Sequence, residues 1–186
     1  MHIMQVDVAI IGAGTAGLAA YRAVKAAGAS TVLIEGGEYG TTCARVGCMP
    51  SKLLIAAADA AQAVRKAPGF GVHVDAAMRI DGREVMDRVR RERERFVGIV
   101  LRDIEGLPEA ERIRGQARFV NDHTLEVDGH TRIASKSIVI ATGSRADTLD
   151  SYQGLGERLI INDDVFNWHD LPRAVAVIGP GIIGLE

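Results

Sequence analysis

The β-branched run Val6-Asp7-Val8-Ala9-Ile10-Ile11 is broken at once by Gly12-Ala13-Gly14-Thr15-Ala16-Gly17, and nothing else restricts the fold as much. Residues 15–27 (TAGLAAYRAVKAA) then have helical spacing, and Gly28 supplies the stop. Residues 31–35 (TVLIE) make a second strand. Strand, helix and strand joined by short connections predict a parallel pair with a right-handed crossover. Gly12 permits the sharp turn out of the strand, Gly14 has no side chain to hold a pyrophosphate off the backbone, and Gly17 lets the helix pack against the strand. The helix start offers unpaired N–H groups and a partial positive charge to phosphates. Glu35 ends the second strand 18 positions after Gly17. A carboxylate there accepts hydrogen bonds from ribose hydroxyls and repels a 2′-phosphate. The segment therefore predicts a dinucleotide site.

Length and charge narrow the remaining classes. A chain of 186 residues holds one domain and the start of a second. Its 47% hydrophobic and 25% charged residues suit a soluble globular protein. A formal net charge of −2 gives no bulk attraction to nucleic acid or to an anionic membrane. No apolar run reaches the roughly 18–20 residues that span a bilayer. Residues 6–11 carry no basic leader and no cleavage pattern, so they read as a buried strand and not as a signal peptide.

The rest of the chain continues the α/β theme. Residues 51–67 are alanine-rich between Pro50 and Pro68, which predicts a well-buried helix. A short strand is expected over 71–74. Val85, Val89, Phe96, Val100, Ile104 and Leu107 recur at helical spacing, predicting a long amphipathic helix from about Gly82 to Leu107. In its RRERER run glutamates interleave the arginines, so the run reads as a solvated face with local ion pairs. Strand patterns at 113–120, 124–127 and 131–133, with turns at Asn121-Asp122 and Asp128-Gly129, predict a small antiparallel unit. Apolar strands are expected at 137–141 and at 174–178. The second of these leads into Gly179-Pro180-Gly181-Ile182-Ile183-Gly184, the same physical device as the first glycine turn.

Cys43 and Cys48 are the two cysteines, with four residues between them in GTTCARVGCMPSK. That spacing matches neither a thioredoxin-type motif nor a zinc motif. The pair reads as two buried thiols or as a local redox pair. His73 and His123 are too scattered to complete a metal site, so no metal is expected. The following helix start and Lys52 would both stabilise a thiolate, the species that attacks disulfides.

The cysteine segment resembles the redox-active segment of the pyridine nucleotide-disulfide oxidoreductases, a family that reads close to G-G-T-C-x-N-V-G-C-x-P-[SK]-K. GAGTAG at 12–17, Glu35, ATGS at 141–144 and GPGIIG at 179–184 agree in register over essentially the whole chain. The resemblance implies FAD in the first glycine site and NAD(P) in the second, on an α/β fold. That fold is a Rossmann-type FAD-binding domain with a parallel sheet, a long flanking helix and a small antiparallel insertion. It implies that Cys43 meets the disulfide substrate and that Cys48 lies next to the flavin ring. It places Thr42 and Lys52 near the flavin, and Gly115 and Ala117 where the backbone meets the adenine. Ala141, Thr142, Gly143 and Ser144 match a loop close to FAD, and Gly179, Gly181 and Gly184 match the nicotinamide nucleotide turn.

Within the family, Pro50-Ser51-Lys52 resembles the dihydrolipoamide dehydrogenases and mercuric reductases more than the glutathione reductases. The expected reaction is dihydrolipoamide plus NAD⁺ to lipoamide plus NADH. The alternatives are an NAD(P)H-dependent reduction of a small disulfide or a metal ion, and a flavin-binding module with no turnover. The resemblance also implies a cytoplasmic homodimer and association with a 2-oxo acid dehydrogenase complex. Thr41 stands where the family has a second glycine, and Ala44-Arg45 where it has a pair ending in asparagine. The expected division is residues 1–150 as FAD-binding domain and 151–186 as a connection and the first turn of a nucleotide-binding domain. A βαβ unit takes roughly 30 residues. The 186 residues are therefore expected to belong to a longer protein and to be inactive alone. A family base supplied by a C-terminal His–Glu pair has no match among His2, His73, His123, His130 and His169.

Overall fold

The computed structural model describes residues 1–186, which divide into two compact units. The first comprises residues 1–42 and 97–145, and the second residues 43–96 and 146–186.

The first unit is built on one six-stranded sheet. Strand β1 (His2–Ile11), helix α1 (Thr15–Ala26) and strand β2 (Thr31–Glu35) form the expected crossover, with Val8 to Ile11 parallel to Thr31 to Ile34. Strands β3 (Arg112–Arg114), β4 (Ala117–Asn121), β5 (Thr124–Val127) and β6 (Thr131–Ile140) complete the order β3-β2-β1-β6-β5-β4. Pairing is parallel from β3 through β6 across β2 and β1, and antiparallel between β6, β5 and β4. Both faces of β2 are covered: Val32 and Ile34 join one cluster and Leu33 the other, all essentially inaccessible. That burial explains why TVLIE carries no alternating polar residue. Ile10, Leu33, Ala13, Leu18 and Tyr21 pack with Ile104 on one face. On the other face Leu125, Val127 and Ile133 from the antiparallel strands meet Val6, Ala9, Val32 and Ile34.

β3 and β4 lie at opposite edges of the sheet, yet only Gly115 and Gln116 separate them in sequence. The three steps from Arg114 to Ala117 span at most about 11 Å. The sheet must therefore be rolled until its edges nearly meet, which is why strands from both ends share one cluster. The single strand expected at 113–120 is broken here, because the chain leaves parallel pairing with β2 for antiparallel pairing with β5. The strands expected at 131–133 and 137–141 are in turn one strand, β6, since β1 pairs with both halves. The antiparallel strands are thus an extension of the main sheet.

The second unit holds helix α2 (Thr42–Val46), which begins at its boundary, and helix α3 (Cys48–Lys66). Helix α4 (Gly82–Glu105) runs through it and on into the first unit. Two 3₁₀ segments (Asp150–Arg158 and Asn162–Asn167) and the short helix α5 (Ile182–Leu185) follow. Met86, Val89 and Phe166 form its core, backed by Val46, Leu53, Leu54, Val165 and Trp168. Arg93 donates to the Phe166 carbonyl at 3.2 Å and to Asn167 Oδ1 at 2.9 Å. The RRERER run carries the expected local pairs, Arg91–Glu92, Arg93–Glu94 and Arg95–Glu92.

Four expectations fail in this unit. α3 starts three residues earlier than 51, at Cys48, with Pro50 buried in its first turn where its missing N–H is harmless. Its alanines are largely exposed, because alanine is there for helix propensity and not for burial. Neither 71–74 nor 174–178 is a strand. Val72 and Val74 are each 57% exposed, Val177 is 64% exposed, and no strand lies alongside either run. No helix is long and apolar enough to cross a membrane.

Candidate functional site

The first glycine turn is fixed by the sheet beneath it. Gly12 donates to the Ile34 carbonyl at 2.7 Å, and Ala141 donates to the Ile11 carbonyl at 2.8 Å. Gly12 has φ +105°, and a Cβ there would lie 2.2 Å from the Ala141 carbonyl oxygen. A Cβ on Gly17 would lie 1.8 Å from the Gly12 carbonyl oxygen. These two glycines are required by packing. Gly14 differs: it caps α1 with φ −77°, and nothing lies within 4 Å of the position its Cβ would take. The cap residue Gly14 offers no side-chain acceptor to the N–H groups of the first turn of α1. A bare helix start beside a glycine with empty surroundings is what a pyrophosphate requires.

Glu35 stands at this turn. One carboxylate oxygen accepts the Ala13 N–H and the other the Gly37 N–H, each at 2.7 Å. Two of its roughly four lone-pair positions stay available to hydroxyls. Gly115 donates to the Glu35 carbonyl at 3.0 Å, and Arg114 lies 4.5 Å over the Tyr39 ring. Ala117 opens β4 opposite Val127. Thr142 follows Ala141 beside Gly12, while Gly143 (φ +71°) and Ser144 are exposed. The first unit thus gathers Gly12, Gly14, Gly17, Glu35, Gly115, Ala141 and Thr142 around the ends of β1, β2 and β6.

The thiols belong to the second unit. Cys43 is half-buried on α2, one residue after the exposed Thr42, and Cys48 is exposed as the first residue of α3. Both are free and they interact directly. Burial pushes the Cys43 thiol up, its contact with Cys48 pushes it further, and the Lys52 charge pulls the other way. Burial thus disfavours the Cys43 thiolate. Lys52 pairs with Glu186 at 3.5 Å, and the Ser51 hydroxyl donates to the same carboxylate oxygen at 3.0 Å. Sequence reasoning passed over Glu186. Its signal was its place two residues after Gly184, directly after the helix that the second glycine turn opens.

That second turn, also in the second unit, repeats the first. Gly179 has φ +114°, Gly181 caps α5, and a Cβ on Gly184 would lie 2.2 Å from the Gly179 carbonyl oxygen. No three His, Cys, Asp or Glu side chains cluster to hold a metal ion.

Comparison with known proteins agrees with this geometry. The chain is 31% identical to a dihydrolipoyl dehydrogenase of Mycoplasma pneumoniae, over 98% of its own length and 40% of that protein. It is 33% identical to a mercuric reductase of Bacillus cereus, over 97% of its length and 28% of that one. The HOCl-induced flavoprotein disulfide reductase RclA from Escherichia coli superposes with TM-score 0.73 at 26% identity, over 96% of this chain and 38% of RclA. The chain thus spans about two fifths or less of these relatives. Residues 6–186 match the model of the pyridine nucleotide-disulphide oxidoreductases, and the chain belongs to that family.

Proposed function

We propose that residues 1–150 are the FAD-binding domain of a dihydrolipoamide dehydrogenase and that Cys43 and Cys48 are its redox pair. The observation that carries this reading is the contact between the two thiols, one half-buried and one exposed at a helix start. FAD, when bound, supplies electron transfer between that pair and NAD⁺. The bare start of α1 and Gly14 would hold its pyrophosphate, and Glu35 its ribose. Gly179, Gly181 and Gly184 would begin the NAD site.

In the oxidised protein the two sulfurs form a disulfide. A dihydrolipoamide thiolate attacks Cys43 Sγ, the Cys43–Cys48 bond breaks, and Cys48 leaves as the thiolate. The second substrate thiolate then displaces Cys43, closing lipoamide. Two electrons now rest on the pair; of the two protons that dihydrolipoamide gives up as its thiols ionise, one passes to Cys43, where burial favours the neutral thiol, and the other is released to solvent. Lys52 carries a positive charge beside the pair and is oriented by Glu186. The whole protein is proposed to be a cytoplasmic homodimer that serves a 2-oxo acid dehydrogenase complex.

A second reading has support from the mercuric reductase relative and from RclA, also solved as a Cu(II) complex. In it an NAD(P)H-dependent reductase acts on a soft metal ion or another small disulfide. The test is to mix the purified 186-residue chain, loaded with FAD, with dihydrolipoamide and NAD⁺. One equivalent of dihydrolipoamide should reduce the pair, with no steady NADH production. Sustained turnover would contradict the view that the nicotinamide site needs more chain, and failure to reduce the pair would favour the second reading.

A further inference from the structure

We propose that Asp128 is a positioning residue for the adenine end of the bound dinucleotide, acting through the Gly115-Gln116 link. This rests on reading the first glycine turn as the FAD site. Asp128 is the chain's single non-glycine residue in the left-handed region, with φ +43° in the turn between β5 and β6. An Asp-Gly turn explains that conformation by itself, and asparagine or glycine would serve equally. The carboxylate does more. Asp128 Oδ2 accepts the Gln116 N–H at 3.0 Å, while the Asp128 N–H donates to the Gln116 carbonyl at 3.3 Å. One residue therefore holds the peptide groups on both sides of Gln116.

The link is gripped from the other side as well. Gly115, at φ +140°, donates to the Glu35 carbonyl at 3.0 Å, and a Cβ on it would lie 2.6 Å from Asp128 Oδ2. A Cβ on Gly36 would lie 2.4 Å from the Gln116 side-chain nitrogen. The Glu35 carboxylate in turn holds the Ala13 N–H at the glycine turn. Packed and hydrogen-bonded groups thus run without a gap from Asp128 through Gln116, Gly36 and Glu35 to Ala13. The two residues at the centre are the ones that join the edges of the rolled sheet. A hydrogen bond from a backbone N–H to an ionised carboxylate is about twice as strong as a neutral one. Its loss would free the link and loosen the backbone at Gly115 and Ala117, the segment that the proposed FAD site sets against the adenine.

The test uses the full chain and two variants, with FAD affinity from flavin fluorescence and adenosine diphosphate affinity from competition. Asp128→Gly keeps the left-handed turn and removes the carboxylate. Asp128→Asn keeps the turn and an acceptor for the Gln116 N–H. Asp128→Gly should melt like the native chain yet bind both FAD and adenosine diphosphate about tenfold more weakly. Asp128→Asn should stay within about threefold of native for both. Native affinity in Asp128→Gly would overturn the proposal, as would weaker FAD binding with adenosine diphosphate unchanged. Loss in Asp128→Asn equal to that in Asp128→Gly would also overturn it. A native chain that binds no FAD would overturn the dinucleotide reading and this proposal with it.

Discussion

The two glycine turns have nearly the same backbone and very different surroundings. Gly12 and Gly179 share a φ near +110° (+105° and +114°), and Gly14 and Gly181 both cap a helix in extended backbone. In each turn the last glycine sits over the carbonyl of the first. The first turn follows the buried Ala9 and Ile10 of β1, lies beside the buried β2, and opens a helix of 12 residues. The second follows an unpaired run and opens a helix of four residues whose first, Ile182, is 87% exposed. Local sequence therefore encodes the turn, while sheet partners make it rigid.

The widest separation should appear in stability. In Gly17→Val the new side chain meets the Gly12 carbonyl with nothing free to move, so stability should fall by more than about 3 kcal/mol. Gly184→Val meets the matching backbone carbonyl in a turn that no strand pairs with, and should cost less than half as much as Gly17→Val. Denaturant melts of both variants decide it, and equal losses would break the comparison.

Next in size is a change in binding with the fold intact. Because space around Gly14 is open, Gly14→Val should melt like the native chain and bind FAD about a hundredfold more weakly. Gly181→Val should leave FAD affinity unchanged. Fluorescence titration of both variants would show whether the first turn alone holds the phosphates, and full affinity in Gly14→Val would refute that placement.

A smaller effect depends on pH and belongs to the first turn alone. Tyr21, on α1, hydrogen-bonds Glu111, which also takes Lys25 at 2.7 Å. Burial, then the contact with Glu111, raises the phenol to about 12. The neutral phenol is favoured in the fold, so its stabilisation is complete below pH 10 and fades as pH rises toward 12. Melts of the native chain should fall faster than those of Tyr21→Phe over that window. Parallel curves would show that Tyr21 ionises alike in folded and unfolded chains.

The same contrast marks what could be read from the sequence. The segment 6–35 was legible because its glycines, strand runs and terminal acid all serve one local unit, and β2 falls on 31–35 as expected. α4 was legible from its periodicity. The strands expected at 71–74 and 174–178 were not strands, because an apolar run states a preference and a neighbouring strand decides the outcome. The union of 131–133 with 137–141 and the break at Gly115-Gln116 both follow from the rolling of the sheet, which no local pattern records. Cys43 and Cys48 were legible as a pair. The start of α3 at Cys48 was hidden by Pro50, which reads as a boundary and here sits inside the first turn.

The central claim is that the two thiols have unequal roles beside the flavin, and the visible spectra of two FAD-loaded variants test it most directly. Cys43 is half-buried, which disfavours its thiolate, while Cys48 is exposed at the start of α3. The proposed assignment sets Cys48 next to the flavin, so Cys43→Ser should show a long-wavelength charge-transfer band without any reductant. In Cys48→Ser no band should appear, since serine does not ionise near neutral pH and the proposed assignment sets Cys43 toward the substrate. A band in Cys48→Ser with none in Cys43→Ser would reverse the assignment, and a band in neither would contradict the contact between this pair and the flavin.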